Sequence, residues 1–225
     1  MKVVILAGGL GTRLSEYTHT IPKPMIKIKG KPLIYHIMKR YSKFGFKEFY
    51  IALGYKGYVI KNYFKKNKFG WDINLINTGR NTMTGGRIKR LQKYLNDESF
   101  MLTYGDGVSN VDLKKLLNFH KKNKKLITVT AVRPPARFGH LKIKNNVVNY
   151  FKEKAHTDEG WINGGFFVVN SKFFELIKND STILEKEPLE IACKRRKMTA
   201  FKHHGFWQCV DTKRDLDRLK KILKQ

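Results

Sequence analysis

Short apolar runs alternate with stretches in which apolar residues recur every three or four positions, and this rhythm predicts strands and helices in turn. The chain opens on Val3-Val4-Ile5-Leu6, which reads as a buried strand. Lys31-Pro32 opens a helix through Phe44, with proline at a tolerated first-turn position and Leu33, Ile37, Met38 and Tyr41 on one face. Further strands are expected at Phe49–Leu53, Asp72–Ile76, Phe100–Thr103 and Leu126–Val132, and helices at Gly57–Phe64, Arg87–Leu95 and Leu113–Lys121. The alternation predicts an α/β, Rossmann-like fold: a mostly parallel sheet flanked by helices, with ligands beyond the carboxyl ends of the strands. From Leu141 the pattern turns strand-rich, with Leu141–Ile143, Val147–Phe151 and Phe166–Val169, before a last helix at about Lys213–Leu223. No internal repeat, low-complexity segment or long linker breaks the chain, so one domain is expected over 1–225.

The first strand runs straight into Ala7-Gly8-Gly9-Leu10-Gly11-Thr12-Arg13. Glycines let a backbone come close to a ligand and aim N–H groups at anionic oxygens. Arg13 adds a fixed cationic fork suited to phosphate. The turn is not a dinucleotide fingerprint, because Leu14 stands at the third-glycine position, and no P-loop run occurs anywhere. A plain strand–turn–helix with glycines for packing is the competing account. Ile21-Pro22-Lys23-Pro24-Met25 weighs against it: two prolines lock φ on either side of Lys23 and hold it with little loss of entropy.

Leu6-Ala7-Gly8-Gly9-Leu10-Gly11-Thr12-Arg13 followed by Pro22-Lys23-Pro24-Met25 resembles the signature of the sugar-1-phosphate nucleotidylyltransferases. These enzymes join a nucleoside triphosphate to a sugar 1-phosphate and release pyrophosphate. The resemblance implies nucleotide contacts from Leu6, Ala7, Gly8, Gly9, Gly11, Thr12 and Arg13, and catalytic roles for Arg13 and Lys23. Thr78-Gly79 with Met83-Thr84-Gly85-Gly86-Arg87 is similar to the glucose-1-phosphate cytidylyltransferases in particular, in which the positions of Thr82 and Arg87 contact the nucleotide. A paired Gly85-Gly86 beside a helix start can also admit a flat base against backbone. Taken alone, the segment would pass as an ordinary loop.

Thr103-Tyr104-Gly105-Asp106-Gly107 follows the fourth strand, and Phe206-Trp207-Gln208-Cys209-Val210-Asp211-Thr212 precedes the last helix. A carboxylate at a strand's carboxyl end suits Mg²⁺, which takes one or two carboxylates plus phosphate oxygens and water. Asp-Gly as a turn, and Asp211 as a helix N-cap, are the plainer accounts. The resemblance implies that Asp106 and Asp211 are the two metal ligands and that Gly105 meets the nucleotide. It also implies a sugar-binding set of Gly139, Glu153, Lys154, Asn163 and Gly164. The chain departs from the family's pattern at Ile21 and Ala155, and Lys65–Gly70 is a short bridge where family members are longer.

Composition narrows the field. The 225 residues are 41% apolar, enough for one sizeable core. No apolar run reaches membrane-spanning length, and the opening run is too short for a signal segment. Cys193 and Cys209 fit neither C-x-x-C nor a zinc site, so a reduced cytoplasm is the simplest setting. Lys and Arg number 46 against 18 Asp and Glu, a net charge of +28. Such a field attracts polyanions. Yet the lysines are spread along the whole chain, only 11 of the 46 are Arg, and no nucleic-acid-binding pattern occurs. The charge reads as a solvated, Lys-biased surface that also steers anionic substrates, and neither nucleic acid nor membrane insertion is expected.

The resemblance implies CTP and glucose 1-phosphate as substrates, Mg²⁺ as cofactor, a homo-oligomer, a nucleotide-binding half at about 1–135, a strand-rich sugar-binding half at about 136–225, and a place in sugar-nucleotide synthesis for surface polysaccharide. GTP, dTTP or UTP, or another sugar 1-phosphate such as a heptose, would keep the same chemistry. A basic nucleic-acid-binding protein is the alternative from a different class.

Overall fold

The computed structural model describes residues 1–95, 99–134, 140–152 and 160–222. In chain order, β1 (Val3–Ala7) leads through the glycine turn to α1 (Ser15–Thr18), then to the short pair β2 (Lys27–Ile28) and β3 (Lys31–Pro32). Next come α2 (Leu33–Lys43), β4 (Glu48–Leu53), α3 (Gly57–Lys66), β5 (Asp72–Asn77), α4 (Thr84–Arg90) and α5 (Gln92–Leu95). After them lie β6 (Phe100–Tyr104), β7 (Gly107–Ser109), α6 (Leu113–Asn123) and β8 (Ile127–Val132). The chain closes with β9 (His140–Lys144), β10 (Val147–Lys152), β11 (Ile162–Val169), α7 (Glu187–Lys194), β12 (Met198–His203), β13 (Trp207–Cys209) and α8 (Lys213–Ile222).

Seven strands form the central sheet in the order β12-β8-β11-β6-β1-β4-β5. All neighbours run parallel except β11, which is antiparallel to both β6 and β8. The α/β, mostly parallel architecture is as expected. β1 sits inside the sheet and is buried on both faces, which explains its unbroken apolar run. Its side chains alternate between two cores: Val3, Ile5 and Ala7 pack with α2 and α3 on one face, Val4 and Leu6 with α4, α5 and α7 on the other. The sheet is therefore covered on both sides, and the free ends of β1 and β6 are left to build a site.

The structure differs from the pattern in several places. Lys31-Pro32 pairs as β3 with β2, so the helix starts at Leu33, with Pro32 as its N-cap. The helix expected at Arg87–Leu95 begins at Thr84 and breaks after Arg90, where Leu91 and Tyr94 close tighter turns onto Ile88 and Leu91. Phe166–Val169 is part of β11 in the central sheet, whereas β9 and β10 make a two-stranded sheet of their own. Among the described residues, no helix is long and apolar enough to cross a membrane.

Candidate active site

The site begins with the turn after β1. Gly11 has a φ of +68°, a left-handed conformation that favours glycine, and it starts the short 3-10 helix Thr12–Leu14 that carries Arg13. Gly8 is small for a different reason. A Cβ there would lie 2.3 Å from the Arg87 guanidinium. Arg87 is buried and donates to the carbonyls of Gly8 (2.9 Å), Leu53 (3.2 Å), Gly79 (2.7 Å) and Arg80 (3.2 Å) and to Thr78 Oγ1 (2.8 Å). Burial, and then neighbouring Arg90, push its guanidinium below the ordinary arginine value. Arg87 thus ties the glycine turn to the ends of β4 and β5.

Lys23 lies in a second 3-10 turn, Lys23–Met25, entered through the extended Pro22. Pro24 leans on Gly105, where a Cβ would come within 2.8 Å of the proline ring. Asp106 and Asp211 meet because β7 pairs antiparallel with β13, placing Cys209 opposite Gly107, and Val210 N donates to Asp106 O at 3.0 Å. Asp211 does not cap the last helix. Thr212 does: its Oγ1 accepts from Asp215 N (3.2 Å), and the Asp215 carboxylate accepts in return from the N–H groups of Thr212 (2.9 Å) and Asp211 (3.2 Å). The Asp211 side chain is left for the cleft.

There Lys23 Nζ donates to Asp106 Oδ2 at 2.5 Å and to Asp211 Oδ1 at 2.6 Å. Arg13 NH1 donates to Asp211 Oδ2 at 2.9 Å. Burial works to lower the Lys23 pKa, but the two carboxylates, Asp106 foremost, outweigh it and hold the ammonium above its ordinary value. Burial likewise works to raise the Asp211 pKa, and Lys23, then Arg13, bring it below the usual carboxylate value. Asp106, Asp211 and Cys209 bring one potential ligand atom each to within 4.8 Å of one another. Two convergent carboxylates with a cation already seated between them fit a hard divalent ion. Burial, reinforced by Asp106, pushes the Cys209 thiol up and away from the thiolate that a metal requires.

These groups line one open cleft of about 680 Å³. It brings together Leu6, Ala7, Gly8, Gly9, Gly11, Thr12, Arg13, Lys23, Thr82, Arg87, Gly105, Asp106, Asn163, Gly164 and Asp211, the whole of the expected set that lies within the described residues. Gly139, Glu153 and Lys154 lie outside the described residues. Gly85 and Gly86 do not face a base platform. They seat the segment 180–182, since a Cβ on Gly86 would lie 2.5 Å from the Asp180 backbone and Gly85 N donates to Thr182 O at 2.9 Å.

The cleft also contains residues that the sequence did not single out. Tyr104 OH donates to Glu185 Oε1 at 2.6 Å, and Thr84 Oγ1 donates to Glu185 Oε2 at 2.7 Å. Trp207 Nε1 donates to Gly164 O at 2.7 Å, fixing the irregular stretch of β11 beside Asn163. Tyr104 and Trp207 stand inside the quoted motifs, so their neighbours pointed to them. Glu185 lies among Glu185-Lys186-Glu187, which reads as solvated charge.

Residues 2–223 match the family model described as nucleotidyl transferase. Glucose-1-phosphate cytidylyltransferase of Salmonella typhimurium is 48% identical, covering 96% of this chain and 93% of that protein. Probable glucose-1-phosphate cytidylyltransferase of Bacillus subtilis is 40% identical over 100% of this chain and 97% of its own length. Among solved structures, HddC from Yersinia pseudotuberculosis superposes with a TM-score of 0.77 at 29% identity, covering 99% of both chains. With its glycine turn, its proline-flanked lysine and its pair of aspartates in one cleft, the chain belongs to the nucleotidyl transferase family.

Proposed function

We propose that this protein transfers the cytidylyl group of CTP to glucose 1-phosphate, giving CDP-glucose and pyrophosphate. The observation that carries this reading is the convergence of Lys23, Arg13, Asp106 and Asp211 beside the glycine turn in a single cleft. The choice of base and sugar is supported by the identity to the two cytidylyltransferases.

A sugar-phosphate oxygen attacks the α-phosphorus of CTP. A new P–O bond forms, the bond to the β-phosphate oxygen breaks, and pyrophosphate leaves with the electron pair. The attacking oxygen is already ionised near neutral pH, so no general base is needed. The difficulty is mutual repulsion, and the chain answers it with positioned positive charge. Arg13 holds the departing pyrophosphate. Lys23 contacts the α-phosphate and the incoming phosphate, released from its carboxylates as the substrates enter. Mg²⁺, held by Asp106 and Asp211, would supply charge neutralisation between the nucleotide phosphates. Gly8, Gly9, Gly11 and Thr12 receive the phosphates, while Leu6, Ala7, Thr82, Arg87 and Gly105 border the nucleoside. Asn163 and Gly164, together with Gly139, Glu153 and Lys154, take the sugar phosphate. This divides the single domain into a nucleotide half at about 1–135 and a sugar half at about 136–225. The cytoplasm is the proposed setting, surface-polysaccharide synthesis the proposed use of the product, and a homo-oligomer the proposed assembly.

The test is pyrophosphate release from CTP, GTP, UTP and dTTP, each with a panel of sugar 1-phosphates and Mg²⁺. CTP with glucose 1-phosphate is expected to be the fastest pair, yielding CDP-glucose. Faster release with GTP and a heptose 1-phosphate would overturn the base and sugar assignment and leave the reaction class standing. Salt-sensitive nucleic-acid binding with no release from any pair would overturn the class.

A further inference from the structure

The chain has 18 acidic side chains against 46 basic ones, and both proposed substrates carry phosphate. A carboxylate in the cleft beyond the metal-binding pair therefore opposes binding by charge, and something specific must offset it. Among the described residues lining the cleft, Glu185 is that carboxylate. It lines the cleft, is solvent-exposed, and forms no ion pair among the described residues.

Glu185 is nonetheless held firmly. Oε1 accepts from Tyr104 OH at 2.6 Å, and Oε2 accepts from Thr84 Oγ1 at 2.7 Å. Thr84 Oγ1 is itself oriented by Leu184 N, which donates to it at 2.9 Å. Asn163 Nδ2 donates to Tyr104 OH at 3.4 Å, and Asn163 Oδ1 accepts from Gly165 N at 2.8 Å. The chain Asn163–Tyr104–Glu185–Thr84 therefore runs from the start of β11 to the start of α4. Each oxygen of an ionised carboxylate can accept about two hydrogens, and only one is supplied to each here. The remaining capacity is open to a ligand in the cleft, and that ligand has to donate. Phosphate cannot, whereas a sugar hydroxyl can.

We propose that Glu185 is a specificity-determining residue of the acceptor-sugar subsite, taking hydrogen bonds from hydroxyls of the sugar ring. The assignment rests on the nucleotidyl-transfer reading given above. It adds an orientation rule: the carboxylate repels phosphate and attracts hydroxyls, so a sugar 1-phosphate binds with its ring toward Glu185 and its phosphate toward Lys23. Hydrogen bonds to an ionised acceptor are stronger than neutral ones, which gives the site its discrimination.

The test compares wild type with Glu185→Gln at saturating CTP, using glucose 1-phosphate and a series of its mono-deoxy analogues, with 2′-deoxy-CTP as the nucleotide control. Glu185→Gln keeps the shape and removes the charge. KM for glucose 1-phosphate is expected to rise about ten-fold, with KM for CTP unchanged. The analogue lacking the contacted hydroxyl should be used equally by both enzymes. Tyr104→Phe, which loosens Glu185 without removing it, should show the same analogue pattern with a smaller rise. An equal loss across all analogues would make Glu185 a structural strut only. Equalisation by 2′-deoxy-CTP instead would move it to the ribose. Either result overturns the assignment while wild-type turnover leaves the reaction intact. A wild type that uses no sugar 1-phosphate overturns both.

Discussion

Arg87 shows how a single side chain can serve a site by organising backbone. It spends its guanidinium donors on four carbonyls and one hydroxyl drawn from the glycine turn, the end of β4 and the loop after β5. A buried guanidinium is tolerable only when its donors are met in this way. Two glycines make the room, since a Cβ on Gly8 or Gly54 would come within 2.3 or 2.5 Å of that group. Gly9 contrasts with them: a Cβ there meets nothing within 4 Å. Gly8→Ala is therefore expected to destabilise the protein by about 1–3 kcal/mol, while Gly9→Ala leaves stability unchanged. Urea unfolding of the two variants, read side by side, checks the distinction. Equal midpoints would mean that Arg87 does not depend on the empty space at Gly8.

At the scale of elements, α4 and the segment 179–182 form a joint that the sequence did not disclose. Gly85-Gly86 suggested a platform for a base, but the pair lets α4 sit against another piece of backbone, with Met83 N donating to Asp180 O at 2.8 Å. Gly86→Ala should push the two apart and lower stability by about 1–3 kcal/mol in thermal or chemical unfolding. An unchanged midpoint would contradict the joint. The difference between what could and could not be read follows from the range of the interactions. β1, β4, β6 and β8 are buried strands whose apolar runs declare them locally. β12 lies at the edge of the sheet, half-exposed along its length, and carries no such run. The reversal of β11 is set by pairing with β6 and β8, which no local pattern encodes. The same division holds for the site. The glycine turn, Lys23 and Asp106 are short local motifs. Glu185 enters the cleft only because the chain returns past α4.

At the scale of the molecule, the sheet's topology turns four distant segments into one site. The turn after β1, the Pro22–Pro24 clamp, the end of β6 and the loop between β13 and α8 meet where parallel strands present their carboxyl ends. The resulting cluster balances two cations against two carboxylates, so the large positive charge of the surface is not what defines it. Lys23, poised between Asp106 and Asp211, is the charge proposed to let two phosphates approach. The most direct measurement is the rate of pyrophosphate release by Lys23→Ala at saturating CTP, glucose 1-phosphate and Mg²⁺, with circular dichroism confirming the fold. A loss of about 100-fold or more in kcat is expected, with the fold retained. A folded variant that turns over at close to the wild-type rate would contradict it.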